Sequence, residues 1–184
     1  MAEQTFTAGQ VLTAAQMTTL QTNIGLAFVK SQTIGTTVTS VIVPSAFSTT
    51  YDNYKILING GAGSSTSGIT MILTGSTAGY YQGNTTVRYD NGTVAGTFVN
   101  NGAAFNIGRS STDTIALSFE LINPFLAKTT TITGSYNDTR GTAGTTANQY
   151  TGFHSVQTSY TGFTITFDTG TYTGGTISVY GYRK

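Results

Sequence analysis

Residues 114–121, Thr-Ile-Ala-Leu-Ser-Phe-Glu-Leu, decide the fold class of this chain. Apolar residues of this stretch alternate with smaller or polar ones and are Ile115, Leu117, Phe119 and Leu121. A β-strand points successive side chains to opposite faces, so this alternation predicts a strand that buries one face. Pro124 cannot continue a central ladder, and we expect the strand to end before it.

Short stretches of similar character lie on both sides of this strand. Further strands are predicted over residues 37–43, 54–58, 69–73, 85–89, 94–99, 103–107, 128–136, 150–157, 162–167 and 176–182. Asn91-Gly92 and Asn101-Gly102 are strong hairpin signals, because type I′ turns need positive φ at both central residues. Strands at spacings of about 8 to 12 residues, with no helical pattern between them, predict an antiparallel β-sandwich, and we expect a jelly roll.

The N-terminal residues have a helical pattern instead. Thr13 and Gln16 fit a capping box, and Leu12 and Met17 occupy the positions of a hydrophobic staple. We predict a helix from about Ala14 to about Phe28, followed by a sandwich domain. The predicted division of the chain is residues 1–31 for an attachment segment with the helix and residues 32–184 for the β-sandwich.

The apolar side chains of this segment are spaced for contact with another chain. They recur at heptad-like intervals and, with the residues before them, give the predicted docking set Phe6, Val11, Leu12, Met17, Leu20, Ile24 and Phe28. Two heptads are too few for a helix that is stable alone. The segment is therefore either a helix packed on its own domain or an oligomerisation helix, and its terminal position favours the second.

Composition narrows the classes of partner. Charged residues make up 8% of the chain, the net charge is +1 and there is no cysteine. No basic stripe is present to follow phosphates, so nucleic acid and anionic membranes are not expected partners. The first residues lack the basic and apolar regions of a signal peptide, and no stretch has the length of a membrane span, so we do not expect export by the usual route.

Candidate catalytic groups are few. The acidic residues are Glu3, Asp52, Asp90, Asp113, Glu120, Asp138 and Asp168, and most of them lie beside turn signals, where Asp is favoured. The single histidine, His154, has no metal-spaced partner and no Ser-His-Asp order around it. We therefore expect no catalytic residues, no metal site and no cofactor, and a protein that is not an enzyme.

Tyrosines among uncharged polar residues suggest a surface that binds without reacting. The candidate receptor-binding residues are Tyr80, Tyr81, Tyr89, Tyr136 and Tyr150. Tyrosine combines a rigid ring with a hydroxyl, which suits contact with carbohydrate or protein. The alternative is that these rings are buried at strand ends.

Three stretches and a turn resemble a known group of proteins. Residues 5–17, Thr-Phe-Thr-Ala-Gly-Gln-Val-Leu-Thr-Ala-Ala-Gln-Met, resemble the opening of many bacteriophage tail-fibre, minor tail and other virion proteins. Residues 51–58 and 175–182 are similar to the first and last strands of the β-sandwich that such proteins carry, and Asn123-Pro124-Phe125 matches a turn more loosely. The resemblance implies an N-terminal segment that attaches to the particle and a sandwich that is displayed.

This resemblance sets the functional expectations. The first is a tail fibre or host-binding protein on the virion, made in the host cytoplasm; alternatives are a capsid decoration or head fibre protein and a carbohydrate-binding module. A depolymerase ranks last because no acid pair stands out. Expected partners are further copies of the chain, as a trimer with a dimer left open, other virion proteins through the N-terminal segment, and a host surface glycan or protein.

Overall fold

The computed structural model describes residues 8, 9, 11, 13–22, 25–138 and 145–184. Helix α1 spans Ala14–Thr22. The strands are β1 (Leu26–Thr33), β2 (Ser40–Val43), β3 (Asn53–Asn59), β4 (Ala62–Gly63), β5 (Ser67–Leu73), β6 (Tyr80–Arg88), β7 (Val94–Gly102), β8 (Phe105–Ser110), β9 (Ala116–Ile122), β10 (Thr130–Asp138), β11 (Thr146–His154), β12 (Phe163–Phe167), β13 (Tyr172–Thr173) and β14 (Thr176–Tyr182).

The strands form an antiparallel sandwich of two unequal sheets. The larger sheet has eight strands in the order β1-β14-β3-β9-β10-β11-β6-β7, and the smaller has four in the order β2-β12-β5-β8. Strands β13 and β4 form a separate two-stranded ribbon. The predicted all-β sandwich with a short N-terminal helix is confirmed.

The core lies between the two sheets, and period-two alternation fills it from both sides. In β9, Leu117, Phe119 and Leu121 are buried while Ser118 and Glu120 on the opposite face are half-buried. From the smaller sheet, the buried residues that face them include Ile69, Met71, Leu73, Phe163 and Ile165. Fully burying an aliphatic or aromatic side chain contributes roughly 1.5–3 kcal/mol, so this alternation is the main source of stability.

The mismatch in size between the sheets determines what remains uncovered. Four strands can cover only part of one face of an eight-stranded sheet, and β8, the edge of the smaller sheet, packs over β10 and β6. Beyond β8, strand β7 is exposed at every residue from Val94 to Phe98. The opposite face of the larger sheet, which we call the outer face, carries no layer from the described residues.

The predicted helix is too long at its C-terminal end. Helix α1 ends at Thr22, and residues 26–33 form β1, which pairs with β14 from Leu26 opposite Tyr182 to Thr33 opposite Thr176. The segment Leu26-Ala27-Phe28-Val29 suits a strand at least as well as a helix, because β-branched and aromatic residues pack well on a pleated surface. Phe28 therefore lies on the sheet, and the predicted boundary between residues 31 and 32 falls inside β1.

Several strand limits also differ from the predictions. Strand β2 begins at Ser40 rather than at residue 37, because Thr37 has a φ of 53° and Val38 makes only an isolated bridge to Tyr172. Strand β6 begins at Tyr80, five residues before the predicted start, and β11 begins at Thr146, four residues before its predicted start at residue 150. No described helix has the length and apolarity needed to cross a bilayer.

Candidate binding face

The outer face of the larger sheet holds a shallow groove of about 790 Å³, which we call the outer trough. Its side chains come from the centre of the sheet, and the polar uncharged ones include Thr85, Ser118, Thr133, Ser135, Gln149 and Thr151. The strand register places Thr151 opposite both Thr133 and Gly83, so these residues share one face. Hydroxyl and amide groups thus line a groove of the size typical of ligand sites.

An aromatic group borders one end of the trough. The rings of Tyr81 and Phe153 are stacked, with centroids 4.9 Å apart and planes 6° from parallel, and both residues line a groove that adjoins the trough at Gly83 and Thr151. Phe98 on β7 lies directly opposite Gly83 and is 81% exposed. Gly83 has open space where a side chain would lie, so the floor between these rings is low.

A paired charge borders the other end. Lys55 Nζ lies 3.4 Å from Glu120 Oε1, and the Tyr182 hydroxyl donates to the same oxygen at 2.5 Å. Burial, together with this hydrogen bond to the carboxylate, raises the pKa of Tyr182 to about 12. Tyr182 therefore remains a neutral donor, and the charge of Glu120 is balanced by Lys55.

The five tyrosines predicted to bind a receptor do not share a surface. Tyr80 is buried, where its hydroxyl accepts from the Leu73 N–H at 2.8 Å, and Tyr150 is buried as well. The alternative interpretation, that the rings are buried, therefore applies to both. Consecutive residues of a strand point to opposite faces, so Tyr80 and Tyr81 cannot both be displayed. Tyr136 is half-buried against the core.

Tyr81 and Tyr89 are the two predicted tyrosines that reach the surface most directly. Tyr81 lies on the outer face, and Tyr89, 59% exposed, donates to Asn137 Oδ1 at 2.8 Å. Phe98 and Phe153 were missed by the sequence prediction. Strand alternation could have identified Phe153, because it is three residues from the buried Tyr150 and must face the other way.

The predicted docking set is only partly described by the structure. Phe6, Leu12 and Ile24 lie outside the described residues, and Leu20 lies within α1. Val11 is 86% exposed and Met17 is 44% exposed, so neither is buried against its own sandwich. Phe28 is exposed on β1, where its ring makes an edge contact with Tyr180 at a centroid distance of 5.8 Å.

The helix begins with the predicted capping box. The Thr13 N–H donates to Gln16 Oε1 at 3.0 Å, and the Gln16 N–H donates to Thr13 Oγ1 at 3.3 Å. These two bonds use backbone donors that the first turn of a helix leaves unpaired. The cap fixes the start of α1 without any help from the sandwich.

Candidate catalytic groups are dispersed or buried. His154 is fully buried, with Nε2 2.7 Å from Ser76 Oγ and 3.0 Å from the Ala78 carbonyl oxygen, and with Nδ1 3.3 Å from the Tyr160 hydroxyl. The imidazole therefore joins a loop to β11 inside the protein, away from the outer trough. Within the described part of the chain, no three His, Cys, Asp or Glu side chains are placed to hold a metal ion.

No family model, no curated protein and no solved structure matches this chain.

Proposed function

We propose that this chain is a non-enzymatic structural protein of a bacteriophage particle, most specifically a tail fibre or host-binding protein. Its N-terminal segment attaches to the particle and its β-sandwich is displayed. The observation that carries this proposal is the contrast between a capped helix whose described side chains are half to fully exposed and a sandwich with its own complete core. A segment of this kind is suited to contact with other subunits.

The resemblance of residues 5–17 to the opening of phage virion proteins supports the same proposal. Val11 and Met17 belong to that stretch, and both are exposed apolar side chains. Burial of these two side chains in an assembly would remove apolar surface from water, which is favourable. The partners are further copies of the chain, as a trimer, and other virion proteins.

Deletion of residues 1–24 tests the attachment role, because it removes the segment and leaves β1 intact. We expect the shortened protein to fold, with an unchanged β-sheet circular dichroism spectrum, and to be lost from purified particles. A matched variant, Ile42→Lys, changes an exposed residue of β2 and should be incorporated normally. Normal incorporation of the shortened protein would contradict the proposal.

Location on the particle separates a tail fibre from the alternative, a capsid decoration or head fibre protein. Immunogold labelling of intact particles with an antibody against the sandwich should mark the tail. Labelling spread over the capsid would instead establish the decoration role.

A carbohydrate-binding module is the second candidate, and the outer trough favours it. Its side chains are hydroxyls and amides, its one described ion pair is internally balanced, and the stacked Tyr81 and Phe153 lie at its end. Aromatic faces contact the apolar faces of sugar rings, while hydroxyls and amides bind their hydroxyl groups. This chemistry fits a neutral host saccharide.

A glycan array with the full chain tests this candidate. Binding of a neutral glycan should fall at least tenfold in Phe153→Ala and Tyr81→Ala, and should persist in the control Ile42→Ala on the other sheet. An array without signal, or equal losses in all three variants, would count against the saccharide. Turnover of host polysaccharide by the wild type would instead indicate a depolymerase.

A further inference from the structure

We propose that strand β7 pairs edge to edge with β7 of a second copy, which joins two larger sheets across a two-fold axis. This interface is separate from the N-terminal segment. In the order of the larger sheet, β7 and β1 are opposite edges, and β1 is the strand that follows helix α1. The proposal does not depend on where the protein resides.

Strand β7 has an open edge. Strand β6 is its one hydrogen-bonded neighbour among the described strands. Alternate residues of an antiparallel strand direct their N–H and C=O groups away from that neighbour. An exposed row of such groups is complementary to another extended strand, which is why open edges promote association.

The other sheet edges carry features that hinder pairing. Strand β1 contains Lys30 and a register shift next to it, and β2 has four residues and is followed by Pro44. Strand β8 contains Arg109, and its own register against β5 shifts at Ile107. Charges, bulges, proline and short length are the usual protections of edge strands.

Strand β7 lacks these protections over most of its length. Residues 94–102, Val-Ala-Gly-Thr-Phe-Val-Asn-Asn-Gly, contain no charge and no proline. Its irregularity is confined to the end, where the register against β6 shifts and Asn101 has a φ of 52°. The regular part, Val94–Val99, is therefore available, and two copies meet there without repulsion between like charges.

Exposed apolar side chains select the register. Val94 and Phe98 both point to the outer face and are 65% and 81% exposed. In a two-fold antiparallel pair with Gly96 opposite Gly96, Phe98 of each copy lies opposite Val94 of the other. Directly opposite side chains are in contact, so in this register the Phe98 ring of each copy packs on Val94 of the other, and the contact occurs twice.

A second copy is the occupant that this geometry fits best. An isologous contact needs a surface that is complementary to itself, and an uncharged strand with two matched apolar positions meets that need. Both outer faces then lie on the same side of a continuous sixteen-stranded sheet. The two outer troughs face the same direction, which favours bivalent binding.

Cross-linking of the full chain tests the register directly. The natural sequence has no cysteine, so Gly96→Cys introduces a single thiol. Among the described residues, one atom lies within 4 Å of a Cβ added at this position, the Asn84 carbonyl oxygen at 4.0 Å. Opposite Cα atoms in an antiparallel pair are about 4.5–5.5 Å apart, which is within disulfide range. We expect mild oxidation to convert most of this variant to a covalent dimer.

Two controls make the result specific. Ile42→Cys places a thiol at another exposed strand residue, on β2, and should remain uncross-linked. Adding Phe98→Lys to Gly96→Cys should reduce the cross-linked fraction at least tenfold. Phe98→Lys alone should halve the mass in sedimentation, because the two-fold contacts separate while the proposed trimer contacts of the N-terminal segment remain. Phe98 is so exposed that this change does not threaten folding.

Three outcomes would overturn the proposal. They are equal cross-linking of Gly96→Cys and Ile42→Cys, cross-linking that survives Phe98→Lys, and cross-linking through Thr97→Cys but not through Gly96→Cys. Loss of particle incorporation on deletion of residues 1–24 tests the proposed function instead, so the two ideas fail separately.

Discussion

Two buried tyrosines differ in what their hydroxyls contact. The Tyr80 hydroxyl accepts from the Leu73 N–H and donates to the Ser76 carbonyl oxygen, whereas the Tyr150 hydroxyl has no partner among the described residues. Tyr150 packs over Gly134, where a Cβ atom would lie 2.5 Å from the Tyr150 hydroxyl oxygen. The ring of Tyr150 therefore contributes to the core while its hydroxyl does not.

Removal of each hydroxyl should have opposite effects on stability. A buried polar group without a partner costs roughly 1–3 kcal/mol, so we expect Tyr150→Phe to raise the free energy of unfolding by about 1 kcal/mol. Tyr80→Phe should lower it by about 1–2 kcal/mol, because the Leu73 N–H loses its acceptor. Urea denaturation measures both, and a loss of stability in Tyr150→Phe would reveal a partner for its hydroxyl.

For individual tyrosines, the sequence did not predict which side chains are exposed and which are buried. Tyr81 and Tyr80 are identical side chains in adjacent positions, yet one lies on the outer face and the other in the core. Alternation requires that they differ, but which of the two is buried depends on which face of β6 the smaller sheet covers. The second sheet, and not the tyrosine itself, decides this.

The junction between β3 and the ribbon of β4 and β13 depends on a glycine. Gly61 has a φ of 71°, and a Cβ atom there would lie 2.2 Å from the Gly174 carbonyl oxygen. At Gly83, on β6, an added Cβ atom would have no described atom within 4 Å. An added methyl group should therefore be unfavourable at Gly61 and accepted at Gly83, so the two glycines make a matched pair of test positions.

We expect Gly61→Ala to destabilise the protein by more than 2 kcal/mol, because the close contact is with backbone and the φ is unfavourable. Gly83→Ala should raise the free energy of unfolding by less than about 1 kcal/mol, because glycine within a strand is less favourable than alanine. Thermal unfolding of both variants measures the difference. Equal effects would mean that the ribbon yields to the added methyl group.

The described side chains of helix α1 are not part of the core of the sandwich. We expect Thr13→Ala to accelerate amide hydrogen exchange in residues 14–18, because an N-cap contributes about 1 kcal/mol to a helix. The melting temperature of the sandwich should be unchanged within about 1 °C, since the described side chains of α1 are not buried. Exchange measured by mass spectrometry, with a peptide of β9 as the internal control, tests this; a clear drop in melting temperature would show that α1 packs on the strands.

Elements with a strong local pattern were predicted well, and those that depend on pairing were not. Residues 115–121 alternate cleanly, and the structure has β9 at Ala116–Ile122. Residues 26–28 are predicted to end the helix, but β14 offers them an edge to pair with, and they form the start of β1. A short apolar segment takes the structure that its neighbours make available.

The whole molecule should lose stability in alkali. Burial raises the pKa of Tyr172 to about 12 and raises the pKa of Tyr150 further. A raised pKa in the folded state means that the unfolded state ionises first, near its ordinary pKa of about 10. The stabilising effect is therefore complete below about pH 10 and is lost as the pH rises toward 12.

Urea denaturation at a series of pH values above 8 measures this loss. We expect the free energy of unfolding to be flat up to about pH 10 and to fall steeply beyond it. Tyr150→Phe should fall less steeply, because it has one fewer buried phenol to ionise. A stability that stays constant to pH 12 would contradict the burial of these hydroxyls.

Local sequence determined the class of this protein. Period-two alternation specified an antiparallel β-sandwich, and Thr13 with Gln16 specified the start of a helix, because each signal acts within a few residues. Of the two predicted hairpin turns, Asn91-Gly92 lies between the paired strands β6 and β7, whereas Asn101-Gly102 ends β7 and the next strand, β8, belongs to the other sheet. Composition alone also excluded disulfides and thiolate ligands, because the chain has no cysteine, and its few charges predicted no basic surface for nucleic acid.

Only the tertiary structure decided which groups are displayed. Strand order places β7 at an open edge, joins residues of β3, β9, β10, β11 and β6 into the outer trough, and buries Tyr80 and Tyr150. The physical reason is that alternation assigns each side chain to one of two faces of its strand, but it does not determine which residues pack against either face. Those neighbours come from residues far apart in the chain, and their contacts form only when the sheets assemble.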